Sequence, residues 1–96
     1  MRYVHRRLDV PGEDGIGQPT RVADLDNLTL QVVGAFDATL TVDVSLDGTN
    51  YSQIDSVTIT TQKVLPLNIA ASHVRVTVAD YVSGAPIAIV GGLDRT

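Results

Sequence analysis

The sequence predicts an all-β protein: a single β-sandwich of seven or eight antiparallel strands, jelly-roll-like or, alternatively, immunoglobulin-like. Apolar and polar residues alternate over several segments, and turn signals recur between those segments. Val, Thr, Ile and Leu dominate the composition, while Phe, Tyr and Trp make only 4% of it. No stretch has the apolar spacing and caps of a helix. The chain has no Cys and no Trp, so the Cys, Trp, Cys framework of a true immunoglobulin domain is missing.

The longest alternating segment runs from Phe36 to Asp47 and predicts the strand around which the sheet is organised. Because successive side chains of a strand point to opposite faces, one face is expected to be buried and the other solvated. The turn signal Asp47-Gly48-Thr49-Asn50 follows, and Tyr51 begins the returning strand. The residues expected to face the core are Phe36, Ala38, Leu40, Val42, Val44 and Leu46.

Shorter segments with the same alternation predict the other strands. Pro66 places its segment at a sheet edge, because proline cannot donate a hydrogen bond to a strand ladder. Residues 91–96 are expected to form a tail. The further predicted strands are 27–34, 51–54, 56–61, 64–69, 73–80 and 86–90.

The first part of the chain predicts an extended N-terminal arm over residues 1–21, followed by the sandwich domain over residues 22–96. The segment from Pro11 to Pro19 holds two prolines and three glycines in nine residues, a composition typical of turns with little to bury. Two interpretations stay open for the arm: a frayed terminus, or a segment that orders against a neighbouring subunit.

Charge and composition exclude several classes of protein. The net charge of −4 argues against a nucleic-acid binder. The charge is also uneven, because residues 1–21 carry +1 and residues 22–96 carry −5. The absence of Cys removes disulfides, thiolate nucleophiles and Cys-ligated zinc. No run resembles a signal peptide or a membrane span, so we expect a protein made in the cytoplasm with no membrane partner.

Catalytic and metal-binding patterns are weak throughout the sequence. The chain has two histidines, His5 and His73, but no serine lies in the G-x-S-x-G motif of a hydrolytic triad. Asp37 and Asp43 lie six residues apart on one strand face, about 20 Å at the rise of a strand, and cannot share an ion alone. The turn that begins at Asp47 lacks the EF-hand pattern. The prediction is a protein that is not an enzyme, with no catalytic residue, no cofactor and no metal site.

Two segments carry a resemblance to a known group of proteins. SLDGTNY, Ser45–Tyr51, resembles a strand ending followed by an aromatic residue in small β-sandwich virion proteins of tailed bacteriophages. AASHVRVTVADYVSGAPIAI, Ala70–Ile89, is similar to the partner half of that pattern, in which a "VRV" strand leads through a "Y-x-SG" turn. The usual aromatic residue is Trp, and Tyr51 departs from it.

The resemblance implies a capsid decoration (cement) protein, since such proteins are commonly of about this size. A protein of that kind binds the outer surface of the phage head and stabilises it by bridging subunits of the major capsid protein. The implied assembly is a homotrimer on the virion. Arg and Tyr are favoured interface anchors, so the expected contacts to capsid or sister subunits are Arg2, Tyr3, Arg6, Arg7 and Arg21.

Two alternatives remain at this point. The first is a glycan-binding or host-binding module of a phage head fibre or tail appendage. The second is a tail-tube or head-completion component. Under the first alternative a glycan would be the partner, and the candidate surface-loop contacts are Asp47, Asn50, Tyr51 and Tyr81.

Overall fold

The computed structural model describes residues 2–67 and 69–94 and contains only strands and connections within that part of the chain. Asn68 of the predicted strand 64–69, and Arg95 and Thr96 of the predicted tail, lie outside the described residues. In chain order the strands are β1 (Arg2–Arg7), β2 (Gly15–Ile16), β3 (Thr20–Arg21), β4 (Leu25–Val33), β5 (Phe36–Ser45), β6 (Ser52–Ile59), β7 (Lys63–Pro66), β8 (His73–Gly84) and β9 (Ile87–Asp94).

The strands form two packed antiparallel sheets, which confirms the predicted β-sandwich. The four-stranded sheet has the order β1-β9-β4-β7. The five-stranded sheet has the order β2-β8-β5-β6, and β3 also pairs with β8. The short strands β2 and β3 follow one another along the same edge of β8, with Gly15 opposite Val78 and Thr20 opposite Val74.

The predicted central strand is β5, which pairs with β8 on one side and β6 on the other. Its alternation is confirmed at Leu40 and Val42, whose side chains have no exposed surface. The expectation for Leu46 is wrong, because this side chain is 81% exposed. The strand ends at Ser45, and the chain turns away from the sheet before Leu46 can reach the core.

The core lies between the two sheets and consists of aliphatic side chains from both. Burial of such side chains is the main term that stabilises a sandwich of this size. Its buried members are Leu8, Val22, Leu25, Leu28, Leu30, Val32, Ala38, Leu40, Val42, Val57, Ile59, Leu67, Val74, Val76, Val78, Ala88 and Val90.

The prediction of an arm over residues 1–21 needs correction, because the described part of this segment belongs to the sandwich. β1 pairs with β9 without a break, from Arg2 opposite Asp94 to Arg7 opposite Ile89. Leu8 then enters the core with 3% of its surface exposed. The Pro- and Gly-rich stretch that follows contains β2, which pairs with β8. Backbone pairing gives this segment an ordered place although it has few apolar side chains.

The predicted tail is also corrected where it is described. β9 continues through Gly91 and Gly92 to Asp94. Both glycines are buried, because β9 lies between β1 and β4 in the four-stranded sheet. By contrast, the edge position expected from Pro66 is confirmed, since β7 forms the far edge of the same sheet.

Gly17 generates a stability prediction. Its N–H donates to the backbone oxygen of Val76 at 2.8 Å, and a Cβ placed on it would collide with the backbone oxygen of Asp9. We expect Gly17→Ala to lower the free energy of unfolding by roughly 1 to 3 kcal/mol, because backbone atoms must move to admit the methyl group. Urea unfolding followed by circular dichroism measures the change.

Gly12 in the same Pro- and Gly-rich stretch provides the matched control. A Cβ at Gly12 would meet no heavy atom within 4 Å. We expect Gly12→Ala to stay within about 0.5 kcal/mol of the parent protein. Equal losses for the two variants would contradict the packing of this stretch against β8.

Candidate binding surface

The first strand presents a regular row of side chains at the edge of the four-stranded sheet. Val4 is half-buried and packs against the core, whereas Tyr3, His5 and Arg7 are exposed on the outer face. Lys and Arg are common on edge strands, where charge discourages unwanted pairing. This edge and face form the β1 surface, which we define as residues 2–7 with the outer face of β9 beside them.

Tyr3 is an exposed aromatic residue in a fixed position on the β1 surface. Its ring lies across Gly91 of β9, and any side chain at Gly91 would occupy the place of the Tyr3 hydroxyl and ring. The side chain nevertheless remains 62% exposed. A shallow groove of about 240 Å³ runs beside it, between Tyr3 and Val64. An accessible Tyr has only two rotatable side-chain bonds, so it loses little entropy when it enters an interface.

Arg6 has a structural position rather than a surface one. Its guanidinium donates to both carboxylate oxygens of Asp24, at 2.8 and 2.7 Å, and to the backbone oxygen of Arg21 at 2.9 Å. These contacts join β1 of one sheet to the segment after β3 of the other. The hydrogen bonds from Arg6 lower the pKa of Asp24 from 3.8 to about 2, and those to Asp24 raise the pKa of Arg6.

The other predicted interface arginines lie at the surface. The Arg2 side chain is 81% exposed, and its Nε is 4.0 Å from a carboxylate oxygen of Asp94. Arg7 and Arg21 are exposed as well. The structure therefore places Arg2 at one end of β1 and Tyr3 and Arg7 on its outer face. Arg21 lies nearby through its bond to Arg6, whose half-exposed guanidinium is bonded within the protein.

The turn after β5 uses its polar side chains to hold its own backbone. Asp47 Oδ1 accepts the N–H groups of Thr49 and Asn50, each at 2.8 Å, and Oδ2 accepts the Asn50 side-chain amide at 2.7 Å. Ser45 Oγ accepts the N–H of Gly48 at 2.8 Å and donates to Asp47 at 2.9 Å. The backbone donors, Asn50 first and then Thr49, hold the pKa of Asp47 well below its usual range.

Tyr51 connects this turn to β8. The guanidinium carbon of Arg75 lies 4.0 Å from the centre of the Tyr51 ring, an arrangement that favours cation–π attraction. Asp43, with 9% of its surface exposed, accepts hydrogen bonds from Arg75 at 3.1 Å and from Thr77 at 3.0 Å. The buried charge is thereby paired and hydrogen-bonded, as its position requires.

The glycine and histidine of the same region pack together. Gly48 has a φ of 79°, a conformation that side chains other than glycine rarely adopt. The His73 ring lies against it, with its Cε1 3.0 Å from where a Cβ would stand. His73 Nδ1 also shares a hydrogen bond with the Ser72 hydroxyl at 2.8 Å.

Tyr81 lies within β8, so the turn expected at residues 81–84 begins only after Gly84. The Tyr81 hydroxyl donates to the backbone oxygen of Gly84 at 2.8 Å, and its N–H donates to Asp14 Oδ1 at 2.8 Å. Asp47, Asn50 and Tyr51 are therefore bonded within their own turn, and Tyr81 is bonded near the end of its strand.

Possible metal ligands do not cluster in the part of the chain whose side chains are described. Among residues 2–54, 57–67 and 69–94, no three His, Cys, Asp or Glu side chains lie where they could hold an ion together. No helix in the same part of the chain is long and apolar enough to cross a membrane. No protein-family model, curated protein or solved structure matches the chain.

The Arg6–Asp24 pair generates a prediction about pH. Because the folded-state pKa of Asp24 lies at about 2 against 3.8 in the ordinary case, the pair stabilises the fold above about pH 4. That contribution is lost as the pH falls through about 2, where the folded protein also binds the proton. We expect Asp24→Asn to lower the thermal midpoint at pH 7 and to match the parent protein near pH 2.

Thermal melts of the two proteins across this range measure the difference, and Asp37→Asn is the matched control. Asp37 is an exposed carboxylate on β5, so its replacement should leave the midpoint nearly unchanged at pH 7. A gap between Asp24→Asn and the parent that stays constant down to pH 2 would refute the role of the ion pair.

Proposed function

We propose that this chain is a capsid decoration protein of a tailed bacteriophage, which binds the outside of the head as a homotrimer and bridges subunits of the major capsid protein. The single observation that carries the proposal is the junction of the two resembling segments. Arg75 of the "VRV" strand lies over Tyr51 of SLDGTNY, and the two segments share one hydrogen-bonded unit with Asp43. The two segments that carry the resemblance are therefore in direct contact in this fold.

We further propose that the sandwich is a jelly roll. Counting β2 and β3 as one interrupted edge strand gives eight strands. The first then pairs with the eighth, the second with the seventh, the third with the sixth and the fourth with the fifth. A long antiparallel ribbon rolled on itself has this pairing, and jelly rolls of eight strands are common among viral capsid domains. In an immunoglobulin sandwich, in contrast, the first strand pairs with the second.

The β1 surface is the part of the molecule best suited to the capsid contact. Tyr3 is exposed beside Gly91, Arg7 is exposed on the same outer face, and Arg2 is exposed at the start of the strand. Aromatic residues and arginine carry much of the binding energy in protein interfaces. The glycan-binding alternative gains nothing comparable, because Asp47 and Tyr51, on which it relies, already bond within their own turn.

Co-sedimentation with expanded phage heads that lack decoration tests the proposal. We expect the purified protein to pellet with heads and to saturate them, and to remain in the supernatant with an unrelated particle. Mass photometry should give a trimer. Equal recovery with both particles would overturn the proposal.

The matched variants separate the β1 surface from the rest of the molecule. We expect the double variant Tyr3→Ala, Arg7→Ala to lose at least tenfold in affinity for heads, since truncation of one interface anchor typically costs about 2 kcal/mol. Thr58→Ala, Thr60→Ala alters exposed residues at the opposite edge, at or beside β6, and should bind as the parent does. Equal losses for the two variants would exclude the β1 surface as the contact.

A further inference from the structure

The sandwich has four sheet edges, and β1 forms the regular one. Within the described residues, its six-residue ladder with β9 has no register shift and no proline. The opposite edge, β7, has four residues and ends in Pro66. β6 carries a register shift between its pairs with Thr41 and Asp43. The last edge is split into the two-residue strands β2 and β3. Short, bulged or proline-containing edges resist further pairing, whereas a long regular one invites it.

The phase of the β1 ladder shows which backbone groups point away from the sheet. Leu8 donates its N–H to the backbone oxygen of Ala88 at 2.8 Å, and these residues are opposite one another if the register of β1 is continued. Bonded and non-bonded pairs alternate along an antiparallel ladder. Val4 and Arg6 therefore bond to β9, and the N–H and C=O groups of Tyr3, His5 and Arg7 face outward. No strand within the described part of the chain pairs with β1 on that side.

The side chains along this edge favour an incoming strand with negative charge. Arg7 is exposed at one end of β1 and Arg2 at the other, where Asp94 approaches it only at 4.0 Å. The third arginine, Arg6, is already neutralised by its two hydrogen bonds to Asp24. An incoming strand thus meets positive charge at both ends and the half-buried Val4 between them.

A second copy of the same strand fits this edge poorly. When two β1 strands pair antiparallel, the outward groups of one copy must meet the outward groups of the other. The two registers of greatest overlap place Arg2 opposite Arg6, or Arg7 opposite Tyr3, and neither sets a carboxylate against Arg2 or Arg7. The edge instead suits a segment with acidic residues at its two ends and apolar residues on the face towards the core.

We infer that the β1 edge is a strand-addition site, which takes an extended acidic segment of a partner protein as a further antiparallel strand of the four-stranded sheet. Main-chain hydrogen bonds to Tyr3, His5 and Arg7 supply the affinity, and the two terminal charge pairs fix the register. An acidic segment of this kind fits the edge whether or not the partner is a capsid protein.

The probe is a synthetic peptide, acetyl-Glu-Val-Thr-Val-Thr-Glu-amide, titrated into the full chain and followed by NMR. In the antiparallel register its first Glu lies opposite Arg7 and its last Glu opposite Arg2. We expect amide exchange at Tyr3, His5 and Arg7 to slow about tenfold when the peptide concentration is about ten times its Kd. The same peptide with Lys in place of both Glu should bind about tenfold more weakly, because both cross-strand charge pairs change sign.

Two matched pairs separate strand addition from general attraction. N-methylation of the first threonine removes the N–H aimed at His5 and should abolish binding, whereas N-methylation of the valine after it, whose N–H faces away, should not. On the protein side, His5→Pro removes an outward N–H at a position where an edge strand tolerates proline. We expect His5→Pro to lose peptide binding, His5→Ala to keep it, and both to melt within a few degrees of the parent.

Several results would overturn the inference. One is equal affinity for the Glu and Lys peptides, and another is equal loss from the two N-methylated peptides. Amide shifts centred on the outer face of β4 and β9 with no slowing at Tyr3, His5 and Arg7 would place the peptide elsewhere. A concentration-dependent dimer that protects the same three amides without peptide would show that the occupant is a second copy.

Discussion

Because β1 pairs with β9 along its whole length, β9 lies inside the four-stranded sheet between β1 and β4. Several other features depend on this ladder. Gly91 and Gly92 are buried, Tyr3 has a glycine to lie across, and Leu8 is carried into the core. Arg6 then bridges from the same strand to Asp24 near the edge of the other sheet. A single antiparallel pairing thus closes the sandwich and shapes the surface that we assign to binding.

The polar residues of the long central strand and its turn bond to one another and to neighbouring parts of the fold. Asp43 is buried on the outer side of β5 by Arg75, which in turn lies over Tyr51. Asp47 gathers the amides of the turn, and Gly48 leaves room for the His73 ring. A network in which every buried polar atom is bonded defines one arrangement of its strands. Conspicuous polar motifs in small β domains can therefore be structural, while the surface that we propose for binding lies on a plainer strand.

The sequence is informative where burial alone decides the structure. In β4, β5 and β8 the apolar residues recur every second position, so the strands and most of their inward residues are predictable. β1 has only Val4 as an apolar inward residue, and its order comes from backbone pairing with a distant strand. From sequence alone, Gly91 and Gly92 predict a tail, because nothing near them shows that β1 and β4 pair with this segment on both sides. In the proposed site, Tyr3 and the arginines can be predicted from their residue types. The sequence around Arg6 gives no sign that this arginine, unlike Arg2 and Arg7, bonds to Asp24.

The central claim is that β1 is an integral edge strand whose Tyr3, His5 and Arg7 backbone groups face outward. Residue-resolved amide hydrogen exchange on the isolated protein tests it most directly, because a ladder protects alternate amides of an edge strand. The account predicts slow exchange at Val4, Arg6 and Leu8 and fast exchange at Tyr3, His5 and Arg7. Uniformly fast exchange from Tyr3 to Leu8 would mean that the segment is a free arm, and the opposite alternation would mean that a different set of groups faces outward. Either result would contradict the account.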